Sequence, residues 1–155
     1  FVNLVRAGFY NGATVFRIRP GTWAQFGIPA DPAVAQTWRS QTFPDDPFRE
    51  TNRRGTVAFA FAVPNGRTTQ VFINLRDNSA THDKEPFVPF GRVTEGLDVA
   101  DRFYATYGEG LGGIRAGKQD AAFAEGNAFF DRLYPKLDRI KTASIVSGAR
   151  DRPED

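Results

Sequence analysis

The fold of this chain is decided at residues 13–28, which read ATVFRIRPGTWAQFGI. The first half alternates as a strand does when one face is buried and the other is exposed. A Pro-Gly pair then predicts a turn, after which a second extended run follows. Arg17 falls on the face opposite the apolar one, close in sequence to Trp23 and Gln25. A cation beside an aromatic ring and an amide predicts a small binding surface, although outward-facing arginines are usually only solvated.

Length and composition restrict the class of protein. The 155 residues suit a single domain, and 15 Phe with two Trp can supply an aromatic core. A charged fraction of 25% argues against disorder and against a membrane protein. No apolar run approaches the ~20 residues of a membrane-spanning helix. The net charge of +2 is scattered along the chain, so a mildly basic surface is expected rather than a nucleic-acid interface.

The chain holds no Cys, and His82 is its single histidine. A disulfide, a thiolate nucleophile and a multi-histidine metal site are therefore excluded, and neither a HExxH nor a P-loop pattern occurs. We expect no metal and no cofactor. The absence of Cys leaves the compartment open, either periplasmic or secreted, or cytoplasmic. The chain has no Met and begins directly in a helical pattern, so we expect its natural N-terminus and any signal peptide to lie outside it.

Hydrophobic periodicity and turn residues predict a mainly β fold. Further strands are predicted at 55–62, 70–75, 87–93 and 136–146, and helices at 1–5, 33–39, from the cap Thr94 onward, and at 120–134. The polar segment 76–86 and the glycine-rich segment 108–117 are predicted to be loops. Short strands, Gly/Pro turns and few helices together predict a closed antiparallel barrel capped by two or three helices.

Two of these strands place unusual residues on one face. Residues 55–62 align three alanines, which would leave a shallow floor, although close packing over that face is the commoner explanation. In residues 70–75, Phe72 lies between two amides on the polar face, where a covering loop is an equally good explanation. Arg17, Ala60, Gln70 and Phe72 all lie opposite the apolar faces of their strands, so they can share one external groove.

Three segments resemble the cyclophilins, a family of peptidyl-prolyl cis-trans isomerases, in order and spacing. They are FRIRPGTWAQFG at 16–27, RGTVAFAFAVPNGRTTQVFINL at 54–75 and FVPFGRVTEGLDV at 87–99. A further segment, AEGNAFFDRLYPKLDRI at 124–140, resembles an insertion of a bacterial type of cyclophilin. The resemblance implies a cyclophilin-like domain over residues 1–147, without the family's N-terminal hairpin, and a charged flexible tail at 148–155.

The resemblance also implies roles for individual residues. Arg17 matches the family's catalytic arginine, and Gln25 matches the glutamine that braces it. Gln25 and eight further residues are implied to bind substrate around a proline pocket. Thr22 and Trp23 match positions on the pocket wall, and Ala60 and Phe61 match an Ala-Asn pair whose second member binds the substrate backbone. Gln70 and Phe72 match the pocket-floor motif, His82 falls near a leucine position, and Phe87 falls at a histidine position on the rim. Thr22, Val63 and Gly66 depart from the family's residues, which bears on rate and substrate preference.

The function implied is rotation about X-Pro bonds in peptides and unfolded proteins by a monomer, in assistance of protein folding. The implied partners are proline-containing peptides and cyclosporin-type ligands, with no nucleic acid and no membrane insertion. Two alternatives stay open. A proline-peptide binding or chaperone module with little or no turnover is suggested by Thr22, Phe61 and Val63. The other alternative is a structural domain with a degenerate site.

Overall fold

The computed structural model describes residues 1–109 and 118–146, and this part of the chain forms one sheet surrounded by short helices. The strands are β1 (Arg17–Arg19), β2 (Trp23–Phe26), β3 (Thr56–Phe59), β4 (Val71–Asn74) and β5 (Pro89–Arg92). The helices are α1 (Val2–Arg6), α2 (Pro32–Trp38), α3 (Ser79–His82), α4 (Leu97–Asp101), α5 (Asp120–Glu125) and α6 (Asn127–Leu133). Six short helices replace the two or three that the sequence predicted. The glycine-rich loop from residue 110 onward and the predicted tail lie outside the described residues.

All strand pairs in the sheet are antiparallel, in the order β1-β2-β4-β3-β5. The turn predicted at the Pro-Gly pair joins β1 to β2, and Gly21 adopts a positive φ of 66° there. Strands β1 and β5 are the two edges of the sheet within the described residues. The fold class is therefore an antiparallel sheet with helices, and closure into a barrel stays a prediction.

Side chains alternate between the two faces of the sheet, so the residues on one face have different surroundings from those on the other. One face carries Ile18 and Ala24, which pack with Leu75 and with Ala100 of α4 in a buried cluster. A second cluster joins Phe16 to α2, α5 and α6. The opposite face of the sheet carries Arg17, and it is left free for a site.

Two predicted elements are shorter than expected because only a few of their residues pair with a neighbouring segment of the chain. The opening strand covers only Arg17–Arg19, since the amide of Val15 donates to the carbonyl of Asp138 at 2.9 Å and not to β2. The predicted closing strand at 136–146 is reduced to an isolated bridge between Thr14 and Arg139. Alternation alone does not make a strand where a neighbouring chain meets only a few residues.

Two helix predictions and one loop prediction also need correction. The single helix predicted at 120–134 is divided into α5 and α6 at Gly126, whose φ of 61° and ψ of −141° are not helical. A Cβ at Gly126 would lie 2.2 Å from the carbonyl oxygen of Ala30, so the close approach of that chain requires glycine. The helix predicted from Thr94 begins at Leu97 with Gly96 as its N-cap. The segment predicted as a polar loop contains α3.

Candidate active site

The free face of the sheet carries a row of residues that the strand register aligns. Arg17 pairs with Gln25, Gln25 pairs with Phe72, and Phe72 pairs with Ala58, each across one antiparallel ladder. Directly paired residues point to the same side of a sheet, so this row crosses four strands on one face. Of the four residues predicted to share a groove there, Arg17, Ala60 and Phe72 line one cavity and Gln70 does not.

A cavity of about 130 Å³ opens on this face. It is lined by Arg17, Trp23, Gln25, Ala60, Phe61, Phe72, His82, Glu85 and Phe87. A cavity of roughly 150 Å³ can hold a benzene ring, so this one has room for a five-membered ring. Its walls are largely aromatic, and its polar groups stand at one side.

The aromatic wall is built around His82. The imidazole ring lies 5.4 Å from Trp23, 5.4 Å from Phe72 and 5.1 Å from Phe87, measured between ring centroids. Phe72 and Phe87 meet edge to face at 5.1 Å, an arrangement that aromatic rings favour. Helix α3 presents His82 to the cavity, and the carbonyl of His82 accepts the amide N–H of Phe87 at 2.9 Å. One short helix thus positions two rings of the wall.

A buried network of asparagine amides behind this wall determines which ring nitrogen of His82 carries a hydrogen. Asn74 Nδ2 donates to Asn52 Oδ1 at 3.1 Å and to Thr56 Oγ1 at 2.9 Å, so Asn74 Oδ1 is the atom that faces His82 Nδ1, at 3.2 Å. An oxygen accepts and cannot donate, so Nδ1 carries the hydrogen and Nε2 is left as an acceptor. Burial lowers the pKa of His82, opposed by Glu85 and Asp83, and the ring is therefore neutral at neutral pH.

Arg17 is held on two sides at the mouth of the cavity. Its Nη1 donates to Gln25 Oε1 at 3.1 Å, and its Nη2 donates to Glu109 Oε1 at 2.8 Å. The guanidinium carbon lies 5.3 Å from the centroid of Trp23, within the range of a cation–π contact. Within the described part of the chain, Arg17 Nε is buried without a hydrogen-bond partner. The guanidinium therefore keeps N–H groups available for a ligand.

A chain of glutamines continues from Arg17 into the protein. Gln25 Nε2 donates to Gln70 Oε1 at 2.9 Å, and Gln70 Nε2 donates to Gln119 Oε1 at 2.8 Å. The three glutamines are 2%, 3% and 7% exposed in chain order. We call this chain from Arg17 through Gln25 and Gln70 to Gln119 the amide relay.

Two predicted site residues lie outside the cavity lining. Thr22 is buried, and its carbonyl accepts from Asn78 Nδ2 at 2.9 Å and from the amide of Leu75. Gln70 lies behind the cavity lining, where its Oε1 accepts from Gln25 Nε2 and its carbonyl accepts from the amide of Ala60. It lines a second cavity of about 200 Å³, together with Gln119. The other eight predicted residues are among those that line the first cavity.

Phe61 and Ala60 sit where β3 has ended. The amide of Ala60 donates to the carbonyl of Gln70 at 3.0 Å, and the Phe61 ring lies 4.7 Å from that of Phe87. The guanidinium of Arg67, 1% exposed and ion-paired with Asp45, lies 4.8 Å from the Phe61 ring centroid. Burial lowers the pKa of Arg67. The loop that follows β3 is thereby fixed against the cavity rim.

Sequence reasoning missed three residues at the site. Glu85 lines the cavity, Glu109 pairs with Arg17, and Gln119 ends the amide relay. Glu109 is the one charged residue among the glycines of GEGLGG, and this contrast is a signal that the sequence offered. Gln119 lies 49 residues from Gln70 and carries no local signal.

Over residues 1–109 and 118–146, no three His, Cys, Asp or Glu side chains gather into a group that could ligate a metal ion. Among the helices described for this chain, none combines the length and the apolar character needed to cross a membrane.

Comparison with known proteins places the chain in a family. The model of the cyclophilin type peptidyl-prolyl cis-trans isomerase family matches residues 1–111, and the chain belongs to this family. Peptidyl-prolyl cis-trans isomerase A of Dickeya dadantii is 31% identical over 116 residues, which cover 72% of this chain and 61% of that protein. Peptidyl-prolyl cis-trans isomerase cyp18 of Streptomyces antibioticus is 35% identical over 110 residues, which cover 65% of each chain. The family expected from the sequence is thus confirmed.

The fold agrees with a solved member. The crystal structure of a Cryptosporidium parvum cyclophilin type peptidyl-prolyl cis-trans isomerase in the presence of the dipeptide Ala-Pro matches with a TM-score of 0.62. The match has 20% sequence identity and covers 96% of this chain and 83% of that chain. The chain spans about three fifths of the length of the first curated relatives that it matches.

Proposed function

We propose that this chain is a peptidyl-prolyl cis-trans isomerase that acts on X-Pro bonds in peptides and unfolded proteins. The observation that carries the proposal is the position of Arg17, whose guanidinium stands at the mouth of an aromatic cavity sized for a pyrrolidine ring. Family membership and the Ala-Pro dipeptide present in the Cryptosporidium protein's structure support a proline-containing ligand.

The chemistry requires only one well-placed donor. The amide resonance of an X-Pro bond is lost in the twisted transition state, and the uncatalysed barrier is ~20 kcal/mol. The prolyl nitrogen regains a lone pair as the bond twists, and an N–H of Arg17 can donate to it. This hydrogen bond forms chiefly in the transition state, so it accelerates rotation and does not merely tighten binding.

The remaining residues of the cavity hold the substrate while the bond turns. Phe72, Trp23, His82 and Phe87 grip the pyrrolidine ring by apolar contact, and Ala60 leaves space beneath it. The main chain at Phe61 binds the substrate backbone. Gln25 keeps the guanidinium in place, with Gln70 behind it. Thr22 lies outside the cavity lining, and the hydrogen bonds of its buried backbone fix the chain immediately before Trp23.

Replacement of Arg17 by alanine tests the proposal. We expect the rate of cis-trans exchange in an Ala-Xaa-Pro-Phe peptide, measured by exchange NMR, to fall by about 100-fold or more, the usual loss for a transition-state donor. Arg19→Ala is the matched control, because Arg19 also lies 5.3 Å from the Trp23 ring but is exposed and does not line the cavity. The control should stay within about twofold of the wild-type rate. Wild-type exchange in Arg17→Ala would refute the mechanism.

One observation favours a second candidate, a proline-peptide binding module with little turnover. Glu109 accepts one N–H of Arg17, so part of the donor capacity of the guanidinium is engaged. The same exchange experiment separates the two functions. Faster exchange between cis and trans signals means catalysis, whereas shifted signals with unchanged exchange mean binding alone. Displacement of the peptide by a cyclosporin-type ligand would show that both use the aromatic cavity.

A further inference from the structure

We propose that Gln119 is a positioning residue for Arg17, and that it acts at a distance through the amide relay. For its effect on turnover this inference rests on the proposed isomerase function. Gln119 immediately precedes α5, far in sequence from the strands that carry the other members. Its side chain makes the 2.8 Å contact to Gln70 that ends the relay, and a weaker return contact from its Nε2 to Gln70 Oε1 at 3.3 Å.

The direction of every hydrogen bond in the relay is dictated by Arg17. A guanidinium has donors only, so Gln25 must turn its oxygen toward Arg17 and its nitrogen toward Gln70. Gln70 must then accept from Gln25 with its oxygen, which directs its nitrogen to Gln119. Gln119 closes the sequence by presenting an oxygen. The relay is therefore polarised, with all three side-chain oxygens on the side toward Arg17.

Arg17 sets this polarity, and Gln119 satisfies the amide of Gln70 at the far end of the relay. A glutamine side chain can rotate by 180° and exchange its oxygen and nitrogen with little change in shape. If Gln70 were rotated, its nitrogen would face the nitrogen of Gln25, and the conflict would pass on to Arg17. Gln25 and Gln70 are almost fully buried, so water cannot compensate a wrong orientation cheaply. Gln119 supports the orientation that Arg17 sets, because its Oε1 accepts from Gln70 Nε2 and its Nε2 donates to Gln70 Oε1. Without it, Gln70 Nε2 would lose this acceptor, and the hold of Gln70 on Gln25 and Arg17 would weaken.

The backbone around Gln119 suits a fixed acceptor. The carbonyl of Gln119 accepts the amide of Phe123 at 3.1 Å, which ties the residue to the first turn of α5. Phe123 is buried in the core cluster shared with α2, and Gln119 itself is 7% exposed. The residue thus has a rigid anchor on one side and the relay on the other.

Three variants and a matched control test this role. Gln119→Leu and the smaller Gln119→Ala remove the acceptor, whereas Gln119→Glu keeps an acceptor oxygen. Gln36→Leu makes the same chemical change at an exposed glutamine of α2. Two readouts are taken from each variant: kcat against peptide affinity by exchange NMR, and rotation of the Arg17 guanidinium from its ¹⁵N-attached proton signals. The second readout needs no substrate, and an altered packing alone would not move it.

We expect Gln119→Leu and Gln119→Ala to lower kcat by about three- to tenfold with unchanged peptide affinity, the effect of one weakened hydrogen bond. In both variants the Arg17 guanidinium should rotate faster, and in Gln119→Glu and Gln36→Leu it should rotate as in wild type. A wild-type rate of guanidinium rotation in Gln119→Leu and Gln119→Ala, or an equal loss of kcat in Gln119→Glu, would overturn the inference. If the wild-type chain proves not to catalyse exchange, the proposed function fails, while the guanidinium rotation still decides the relay.

Discussion

The ion pair between Glu109 and Arg17 leads to the sharpest prediction about substrate binding. Glu109 Oε1 lies 2.8 Å from Arg17 Nη2, and the two side chains are 41% and 26% exposed. Ion pairs of this exposure contribute about 0–1 kcal/mol, because water and salt screen them. A substrate that approaches Arg17 must weaken this pair. We therefore expect Glu109→Gln to bind an X-Pro peptide up to about fivefold more tightly, the equivalent of 1 kcal/mol.

The turnover number should change little in this variant. Arg17 keeps its bond to Gln25, and the amide relay behind it is untouched, so the guanidinium stays in place. We expect kcat within about twofold of wild type. The assay is an NMR titration with the peptide, combined with exchange measurements at low and high salt. Wild-type affinity should rise with salt because the competing ion pair is screened, and the variant should lose this dependence.

Glu125→Gln is the control for the loss of one charge. Glu125 pairs with Arg132 at 2.7 Å, and its side chain is 42% exposed, close to the 41% of Glu109. The pair joins α5 to α6 and is remote from the cavity lining. The control should leave affinity unchanged. A weaker peptide affinity in Glu109→Gln, or a loss of kcat beyond tenfold, would show that Glu109 holds Arg17 for catalysis and does not compete with substrate.

Three further predictions concern the frame of the site. Burial lowers the pKa of His82 from its ordinary value of 6.5, so as the pH falls the unfolded chain binds a proton before the folded chain does. The free energy of unfolding should therefore keep its full value above pH 6.5 and decline as the pH falls toward the folded-state pKa. Urea unfolding at several pH values should show this slope, and His82→Phe should flatten it. Gly126→Ala should lower the free energy of unfolding by about 2–4 kcal/mol, because the position has a positive φ and the new Cβ would overlap the carbonyl of Ala30. Gly91→Ala is the control, since its Cβ would meet open space, and it should lower the free energy of unfolding by less than ~1 kcal/mol in the same denaturation experiment. Asn52→Leu removes the donor to Asp83 and to the carbonyl of Phe87, and should lower the free energy of unfolding by about 2–3 kcal/mol, with loss of peptide binding in calorimetry if Phe87 moves.

The face of the sheet that carries the site was predictable from alternation. The period of two is local, and each strand reveals its own apolar face, so Arg17 and Phe72 could be placed on the free side before the register was known. The register then added what no single strand contains, the row from Arg17 through Gln25 to Phe72. Composition also indicated a chemistry without thiols or paired histidines.

The features that could not be predicted all depend on contacts between distant segments. Helical periodicity continues through Gly126, and only the approach of the Ala30 carbonyl divides the helix. Helix α3 has four residues, too few for a periodic pattern, yet it brings His82 into the aromatic wall. Glu109 and Gln119 reach the site from outside the sheet. The charge of Glu109 among glycines singles the residue out but does not name Arg17 as its partner, and Gln119 carries no local signal.

The electrostatics of the site explains why neutral amides hold Arg17 from behind. A buried carboxylate in the place of Gln25 would bind the guanidinium more strongly, since charges interact strongly where water is excluded. It would also cancel the positive potential that the prolyl nitrogen is meant to experience in the transition state. An amide oxygen orients the guanidinium with a dipole and leaves its net charge intact. The carboxylate that does contact Arg17, that of Glu109, lies at the exposed rim, where solvent weakens it and a substrate can displace it. Under the proposed mechanism the amide relay therefore supplies orientation without neutralisation, and we expect substrate to displace Glu109 from Arg17.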